Sequence, residues 1–279
     1  MSDAYAVFGN PIAHSKSPLI HAEFARQTGQ DMRYAALLAP LDGFPAAVRA
    51  FQLAGGRGAN VTVPFKAQAF DLATRRTPRA QAAGAVNTLK FEAGGSVGDN
   101  TDGAGLVRDL VGNLGLSLAD KRILLMGAGG AARGVILPLL EQKPASMFVA
   151  NRTALRAVEL VNHFCSLEGA EGEIQGANLM QGGSYEALAG RQFDVVINAT
   201  AASLAGELPP LPEDVFAVDA LAYDMMYGKD TPFLAFARAH GARTADGLGM
   251  LVEQAAEAFQ VWRGVRPDTA PVIQMLRNA

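Results

Sequence analysis

The sequence predicts an α/β protein in which a doubly wound nucleotide-binding domain follows a separate α/β domain. The main observation is a short apolar run, Ile123 to Met126, followed at once by Gly127, Gly129 and Gly130 and then by a helical pattern. A strand, a glycine turn and a helix in that order are typical of dinucleotide-binding folds, although a plain strand-to-helix turn is the alternative. Apolar runs alternate with helical patterns downstream, which predicts a parallel sheet. With 279 residues, 49% of them hydrophobic, the chain can bury two ordinary cores.

The first domain is predicted to open with a strand at residues 4–8 and a helix at residues 19–27. Ser17 precedes Pro18, and a serine N-cap followed by a proline in the first turn is a common helix start. Ser17 therefore has a complete structural interpretation, whereas Ser15, in the polar loop before it, has none. A second strand at residues 34–38 and a second helix at residues 43–53 follow.

The next predicted strand, within residues 58–66, alternates polar and apolar residues. Asn60 and Thr62 alternate with two valines, so one face would be apolar and the other would carry hydrogen-bonding groups. Pro64 ends the strand or places it at a sheet edge. Lys66 follows at the carboxyl end, where ligands gather in open α/β sheets, and it is either a ligand-facing lysine or a solvated charge.

Two polar residues further along stand out from their surroundings. Asn87 lies among apolar residues where a turn enters a strand, and Gly94-Gly95 predicts a hairpin tip beyond it. A helix is predicted from about residue 104. Asp102 precedes that helix, so it is either a helix cap or a functional carboxylate.

The second domain continues the strand and helix alternation begun by the glycine turn. Its further strands are predicted at residues 147–150, 193–198, 215–223 and 242–245, and its helices at residues 132–142, 154–167 and 233–240. An amphipathic helix at residues 250–262 and a helical piece at residues 272–276 complete the chain, and we expect them to pack back on the first domain. The predicted domains are therefore residues 1–103, 104–246 and 247–279, the last being the returning helices.

The residues that follow the second strand of this domain indicate which dinucleotide it binds. NAD-binding folds place an acidic residue about 20 residues after the glycine turn, where it accepts the ribose hydroxyls. This chain has Arg152 and Arg156 there and no acidic residue between positions 142 and 159. Two guanidiniums can clamp a 2′-phosphate that a carboxylate would repel, so the sequence favours NADP over NAD. The alternative is that both arginines are solvated surface charges.

Composition excludes several other functions. A net charge of −3 argues against nucleic acid as a partner. The single cysteine, Cys165, excludes an internal disulfide, and we expect a reducing, cytoplasmic location. No metal-ligand pattern occurs, and we expect helix-surface or loop positions for the four histidines. No signal peptide or membrane-spanning run is apparent, so no membrane partner is expected.

These exclusions leave the dinucleotide to carry the chemistry as hydride transfer. The protein must then orient a polar substrate and move one proton. Lys66 can donate or accept that proton, and Asp102 can orient the lysine and the substrate. The sequence therefore suggests an oxidoreductase that acts on a hydroxyl or carbonyl group.

The chain resembles the shikimate dehydrogenase family over essentially its whole length. Four motifs of the first domain, in the family's order, carry this resemblance. They are Gly9-Asn-Pro-Ile-Ala-His-Ser-Lys-Ser-Pro18, Asn60-Val-Thr-Val-Pro-Phe-Lys66, Gly84-Ala-Val-Asn-Thr88 and Asn100-Thr-Asp-Gly103. The resemblance implies that Ser15 and Ser17 bind the substrate carboxylate and that Lys66 is the catalytic acid/base, with Asp102 as its partner. It also implies that Asn60 and Thr62 line the substrate site and that Asn87 binds substrate hydroxyls.

The second domain extends this resemblance to the cofactor. The glycine turn and the segment Asn151-Arg-Thr-Ala-Leu-Arg156 resemble the family's NADP loops, which implies cofactor contacts for Gly127, Ala128, Gly129, Gly130, Ala131, Asn151, Arg152, Thr153 and Arg156. In the segment Asp224-Met-Met-Tyr227, the resemblance implies a nicotinamide contact for Met225 and a substrate-side role for Tyr227. In the closing motif Asp246–Gln254, it gives Gly247 to the nicotinamide and Gln254 to the substrate.

The chain departs from the family pattern at two places. Asn198-Ala-Thr-Ala-Ala-Ser203 stands where the family usually has serine, a small residue and glycine, and Thr77-Pro78 stands where an acidic residue near the cofactor is frequent. Neither departure touches the lysine and aspartate, but the second leaves one cofactor contact in question.

The resemblance implies reversible, NADPH-dependent reduction of 3-dehydroshikimate to shikimate, in chorismate and aromatic amino-acid biosynthesis, by a monomer or homodimer. One alternative is a quinate/shikimate dehydrogenase of broader specificity. The other is a non-catalytic NADP-binding sensor, which would need the glycine turn and Arg152 but not Lys66. A cleft that closes on the ligands is also expected, since closure would exclude water during hydride transfer.

Overall fold

A computed structural model describes residues 2–171 and 179–278, and these form two compact units. The N-terminal unit comprises Met1–Leu106 and Leu251–Ala279, and the central unit comprises Val107–Met250. The chain therefore leaves the N-terminal unit once and returns to it near its end.

The helices and strands follow one another along the chain with short connections. Up to the middle of the sequence they are β1 (Asp3–Gly9), α1 (Ser17–Thr28), β2 (Met32–Leu38), α2 (Phe44–Leu53), β3 (Gly56–Val61), α3 (Lys66–Leu72), β4 (Arg75–Arg76), α4 (Pro78–Ala83), β5 (Thr88–Glu92), β6 (Gly95–Asp99) and α5 (Asp102–Arg108), which a π-helical turn at Asp109–Asn113 extends. The remainder comprises β7 (Arg122–Met126), α6 (Gly130–Leu140), β8 (Ser146–Ala150), α7 (Ala154–Glu171), β9 (Met180–Gly183), β10 (Phe193–Asn198), α8 (Ala202–Ala205), β11 (Phe216–Asp224), α9 (Pro232–Ala239), β12 (Arg243–Asp246), α10 (Leu248–Arg263) and α11 (Ala270–Arg277).

The N-terminal unit is built on a mixed sheet with the strand order β2-β1-β3-β5-β6-β4. Strands β1, β2 and β3 are parallel, whereas β5 runs antiparallel to both β3 and β6. Helix α1 packs against α10 and α11 in a buried cluster that includes Ile20, Phe24, Phe259 and Ile273. These contacts bind the C-terminal helices to this unit.

The start of α1 differs from the sequence prediction. The helix begins one residue earlier than expected, because the Ile20 amide already donates to the Lys16 carbonyl at 3.1 Å. Lys16 is the N-cap, and none of the described side chains caps this end. The prediction that Ser17 is the N-cap is therefore wrong, and its hydroxyl is not used for capping.

The strand that precedes Lys66 is also shorter than predicted. β3 ends at Val61, and Val63 is 61% exposed, so the predicted alternation of apolar and polar faces is wrong beyond Val61. Thr62 instead closes a turn by accepting from the Phe65 amide at 3.0 Å, and the Val63–Pro64 peptide in that turn is cis. Lys66 consequently becomes the first residue of a helix, α3.

The central unit is a parallel sheet with the strand order β12-β11-β10-β7-β8-β9. Numbered from β7, this is the 3-2-1-4-5-6 order of doubly wound dinucleotide-binding folds read from the other edge, and its switch point lies between β7 and β10. The glycine turn follows β7 directly, so the fold places the turn at the switch point. No helix of the described residues is long and apolar enough to span a membrane.

Candidate active site

Lys66 and Asp102 meet because of how their strands are paired. β3 and β6 both pair antiparallel with β5, so their carboxyl ends lie at the same edge of the sheet. Lys66 follows β3 and Asp102 follows β6. The lysine Nζ donates to the Asp102 Oδ2 at 2.5 Å, and the two side chains are 18% and 9% exposed. This ion pair is sheltered, yet the lysine still reaches solvent.

Asn87 binds the other oxygen of this carboxylate. It lies at the same sheet edge because it immediately precedes β5. Its Nδ2 donates to Asp102 Oδ1 at 2.7 Å and to Thr101 Oγ1 at 3.0 Å, while its Oδ1 accepts from the Thr101 amide at 2.8 Å and from Thr88 Oγ1 at 2.9 Å. Both oxygens of Asp102 are therefore held by donors, which fixes the carboxylate beneath the lysine.

Asn60 extends the same network toward β2. Its Nδ2 donates to the Thr88 hydroxyl at 3.0 Å and to the Asn87 carbonyl at 3.2 Å, and its Oδ1 accepts from the Tyr34 hydroxyl at 2.7 Å. Burial raises the pKa of the Tyr34 hydroxyl well above its ordinary value, although a hydrogen bond with Ser17 acts in the opposite direction. Tyr34 therefore stays protonated and remains a donor.

The threonines and the tyrosine of this network were not predicted from the sequence. Thr88, Thr101 and Tyr34 all bind a predicted site residue directly. The available signal was adjacency, since Thr88 follows Asn87 and Thr101 precedes Asp102. Nothing comparable marks Tyr34, because its partner Asn60 is on another strand.

The remaining predicted substrate residues of the N-terminal unit are found on three separate elements. Ser17 is buried in the first turn of α1, and the half-buried Ser15 accepts from the Ser17 amide at 3.3 Å. Thr62 is half-buried just after β3, where its amide donates to the Phe8 carbonyl at 2.9 Å. Gln254 is half-buried on α10 and donates to the Leu251 carbonyl at 2.8 Å.

His21 contradicts the expectation of a surface histidine. It is fully buried and stacks on Tyr34 with ring centroids 4.1 Å apart, and the Asn60 side chain is the polar group that acts on its pKa. Burial lowers the pKa of His21 to about 3. The helical pattern of α1 gave no warning, because an imidazole is compatible with either face.

The glycine turn of the central unit leads directly into a helix start that no side chain of the described residues caps. Gly127 has φ of +107°, and a Cβ there would lie 3.1 Å from the Ala199 carbonyl oxygen of the neighbouring connection. A Cβ at Gly129 or Gly130 would meet no described atom within 4 Å. α6 begins at Gly130 without a side-chain cap from the described residues, so its first amides are available to an anion. Ala128 and Ala131 flank this opening and are half-buried.

The segment after β8 presents the arginines that the sequence assigned to a 2′-phosphate. Arg152 and Arg156 are both exposed. Asn151 donates through Nδ2 to the Thr153 carbonyl at 2.9 Å, and the Arg156 amide donates to the same carbonyl at 3.0 Å, which shapes the loop between them. Exposed cations with no acidic neighbour in the loop fit a phosphorylated ribose better than a free diol.

Met225 and Gly247 lie together at the carboxyl ends of β11 and β12. The Gly247 amide donates to the Met226 carbonyl at 2.8 Å, and a Cβ at Gly247 would overlap the Met225 carbonyl. The close approach of the two backbones therefore requires glycine at 247. Tyr227 follows and is half-buried, and burial raises the pKa of its hydroxyl.

Both departures from the family pattern have structural roles here. Asn198 accepts from the Thr200 hydroxyl at 2.7 Å and donates to Asp224 at 3.3 Å, so the altered segment closes its own turn. The side chain of Ser203 lies outside what the structure describes. Thr77 caps α4 and donates to the buried Asp99 carboxylate at 2.6 Å, a contact that an acidic residue at position 77 would turn into repulsion.

Family models match three parts of the chain. Residues 7–89 match the shikimate dehydrogenase substrate binding domain, residues 109–205 match the shikimate / quinate 5-dehydrogenase family, and residues 247–277 match the shikimate 5'-dehydrogenase C-terminal domain. Together these regions contain every residue of the Lys66 network except Thr101 and Asp102, which lie between the first two matches.

Whole-chain comparisons agree with the family models. The chain is 63% identical over 281 residues to a shikimate dehydrogenase (NADP(+)) of Nitrosospira multiformis, covering 100% of this chain and 98% of the relative. Among solved structures it resembles an Ael1 enzyme from Pseudomonas putida (51% identity, TM-score 0.89, 99% and 98% covered) and the Thermus thermophilus shikimate 5-dehydrogenase in complex with NADP(H) and shikimate (32% identity, TM-score 0.85, 99% of each covered). Similarity of this extent shows that the chain belongs to the shikimate dehydrogenase family.

Proposed function

We propose that this protein catalyses the reversible, NADPH-dependent reduction of 3-dehydroshikimate to shikimate, a step of chorismate and aromatic amino-acid biosynthesis. Relatives at 58–63% identity are named NADP(+) shikimate dehydrogenases, and a structural relative is described with both shikimate and NADP(H). The observation that carries the proposal is the sheltered Lys66–Asp102 pair, with Asn87 on the second carboxylate oxygen.

Lys66 moves the proton in this mechanism. An ammonium group has three N–H donors, and Asp102 occupies one of them, so another can be directed at a substrate oxygen. In the reducing direction the ammonium protonates the carbonyl oxygen as negative charge develops there. In the reverse direction the neutral amine takes the proton from the hydroxyl. NADP(H), when bound, supplies or accepts the hydride.

Asp102 and its network position the lysine. The carboxylate holds the lysine Nζ through one oxygen and is itself held by Asn87 through the other, so the proton donor keeps one orientation. Ser15 and Ser17 offer hydroxyls to the substrate carboxylate, and the Ser17 hydroxyl, which does not cap its helix, already has a hydrogen bond with Tyr34. Asn60, Thr62, Tyr227 and Gln254 complete the proposed contacts with the substrate.

The cofactor is proposed to bind the central unit at the glycine turn. Gly127, Ala128, Gly129, Gly130 and Ala131 would surround the pyrophosphate at the start of α6. Beyond β8 the 2′-phosphate would lie on the two exposed arginines of the adjoining loop, and Met225 with Gly247 would face the nicotinamide. The loop residues assigned to this second contact are Asn151, Arg152, Thr153 and Arg156.

Steady-state kinetics with four substrate pairs tests this assignment. We expect the highest kcat/KM for shikimate with NADP⁺, compared with shikimate and NAD⁺, quinate and NADP⁺, and quinate and NAD⁺. A preference for quinate with NAD⁺ would overturn both the substrate and the cofactor assignment. Comparable rates with both acids would instead favour the enzyme of broader specificity.

The Lys66→Ala variant separates an enzyme from a dinucleotide sensor. Loss of the proton donor should lower kcat by about 10²–10⁴-fold while the Kd for NADP⁺ changes little. Lys90→Ala is a matched control, because Lys90 is a partly exposed lysine of the same unit that pairs with Glu92 at 3.6 Å. Unchanged turnover in Lys66→Ala would remove Lys66 from the mechanism.

We also propose a cytoplasmic enzyme that is a monomer or a homodimer. The single cysteine supports a reducing compartment. Light scattering of the purified protein distinguishes the two assembly states, and cell fractionation tests the location.

A further inference from the structure

A buried carboxylate outside the proton relay, Asp99, has an unusually complete set of donors. It ends β6 and is 3% exposed. Arg79 binds it with two parallel hydrogen bonds, Nε to Oδ1 at 2.7 Å and Nη2 to Oδ2 at 2.6 Å. Thr77 Oγ1 and the Asn100 amide add bonds of 2.6 and 2.7 Å to Oδ1. Bidentate arginine pairs fix geometry as well as charge, so the end of β6 is held rigidly.

The backbone between Asp99 and Asp102 carries this rigidity to the proton relay. Asn100 Oδ1 accepts from the Asp102 amide at 3.2 Å, and Asn100 Nδ2 donates to the Ala85 carbonyl at 3.1 Å. The Asp99 carbonyl accepts from the Asn87 amide at 3.0 Å. Asp102 and Asn87, the two groups that orient Lys66, are therefore both attached to the segment that Arg79 holds.

On its other side Arg79 contacts the helix that carries a proposed substrate residue. Its Nη1 donates to Glu257 Oε1 on α10 at 3.0 Å, and Arg266 donates to Glu257 Oε2 at 2.9 Å. Gln254 lies one helical turn before Glu257 on the same helix. A single guanidinium thus joins the loop of the proton relay to the helix of Gln254.

We propose that Arg79 and Asp99 are positioning residues that hold Asp102 and Asn87 in register with Lys66. This inference rests on the proposed function, because the reaction that the two residues would affect is the proposed reduction of 3-dehydroshikimate. Neither residue touches the reacting atoms; both act through Asn100 and the backbone of the loop. A shift of about 1 Å in a catalytic group can cost on the order of 10²-fold in rate, so a small displacement of this loop is sufficient.

The electrostatics of the pair support the geometry. Burial raises the pKa of Asp99, but hydrogen bonds and charge from Arg79, with Thr77 and the Asn100 amide, lower it below its usual range overall. Asp99 is therefore a carboxylate at neutral pH, with acceptors for every donor aimed at it. An asparagine at this position would present an NH₂ group to one of the two Arg79 donors, which would displace the guanidinium or the loop.

The test compares Asp99→Asn with an ion-pair control in the same unit. We expect Asp99→Asn to lower kcat for shikimate oxidation by about tenfold to a hundredfold, with the KM for NADP⁺ within about twofold of wild type. Asp3→Asn is the control, because Asp3 pairs with Arg263 at 2.5 Å and has no link to Lys66 among the described contacts. It should keep kcat even if Tm falls. A folded Asp99→Asn enzyme with unchanged kcat would overturn the proposal.

Two further measurements keep the test decisive. Arg79→Lys retains the charge but not the bidentate geometry, so we expect it to lose less kcat than Arg79→Ala does. Both variants should bind NADP⁺ with the same affinity. If Asp99→Asn does not fold, unchanged kcat in Arg79→Lys and Arg79→Ala overturns the proposal.

A crystal structure of Asp99→Asn tests positioning without turnover, and therefore independently of the substrate assignment. We expect the Lys66–Asp102 hydrogen bond to be lengthened or lost, and an unchanged pair would refute positioning.

Discussion

Replacing Asp102 by asparagine is the sharpest perturbation of the proton relay. The substitution keeps the size of the side chain but exchanges one carboxylate oxygen for an NH₂ group. In the native protein both oxygens accept hydrogen bonds, Oδ2 from Lys66 and Oδ1 from Asn87. Whichever way the new amide is oriented, its NH₂ must face one of these two donors.

The structure sets the size of the expected effect. If the amide NH₂ faces Lys66, the proton donor loses its anchor and its counter-charge. If it faces Asn87, the amide that fixes the carboxylate is displaced, and a buried donor left unsatisfied costs about 1–3 kcal/mol. Either arrangement disrupts a relay whose contribution is typically about 10²–10⁴ in rate, equivalent to about 2.7–5.5 kcal/mol of barrier. We expect kcat and kcat/KM to fall together within this range.

Steady-state oxidation of shikimate by NADP⁺ measures the effect, with NADP⁺ binding followed separately. The Kd for NADP⁺ should stay within about twofold of wild type, because every proposed cofactor residue is elsewhere in the sequence. A folded Asp102→Asn enzyme with kcat within a factor of about two of wild type would refute the proposed role of the carboxylate.

Three further predictions concern the cofactor, acid stability and packing. Arg152→Ala should raise the KM for NADP⁺ by about tenfold or more and leave that for NAD⁺ nearly unchanged, since a charge-assisted hydrogen bond contributes about 1.5–3 kcal/mol; equal effects on both would contradict the 2′-phosphate assignment. His21 has a folded-state pKa of about 3 against an ordinary 6.5. Its contribution to the free energy of unfolding is therefore complete above pH 6.5 and is lost as the pH falls below 6.5. Urea unfolding followed by the single tryptophan should show about 2 kcal/mol lost between pH 6.5 and 5, a loss absent in His21→Phe. Gly249→Ala would push a Cβ into the buried Asp109 carboxylate and should destabilise the central unit by about 1–3 kcal/mol in thermal unfolding, whereas Gly112→Ala, where the described atoms leave open space, should be nearly neutral.

Local patterns in the sequence located five of the six strands of the central sheet. The strand, glycine turn and helix around Gly127 appear in the structure where they were predicted, and apolar runs located β8, β10, β11 and β12. β9 was missed because Met180–Gly183 contains two glycines and no apolar run. Gly182 is required there because a Cβ would lie 2.6 Å from the Ala157 carbonyl oxygen. This contact is between residues that are distant in sequence, so no local pattern predicts it.

The site shows the same limit. Lys66 and Asp102 could be singled out because each lies just beyond a predicted strand or before a predicted helix. Their pairing depends on the antiparallel placement of β5 between β3 and β6, which no local pattern encodes. The burial of His21 and the contact of Arg79 with Asp99 likewise arise from residues distant in sequence. Propensity and periodicity report on neighbours along the chain, whereas these features are set by tertiary packing.

A crystal structure of the enzyme with shikimate and NADP⁺ tests the proton relay most directly. We predict that Lys66 Nζ lies within about 3.2 Å of the hydroxyl that is oxidised, with Asp102 still bound to the lysine. A ternary complex in which that hydroxyl is beyond hydrogen-bonding distance of Lys66, and is instead held by another titratable side chain, would contradict the assignment of Lys66 as the acid/base.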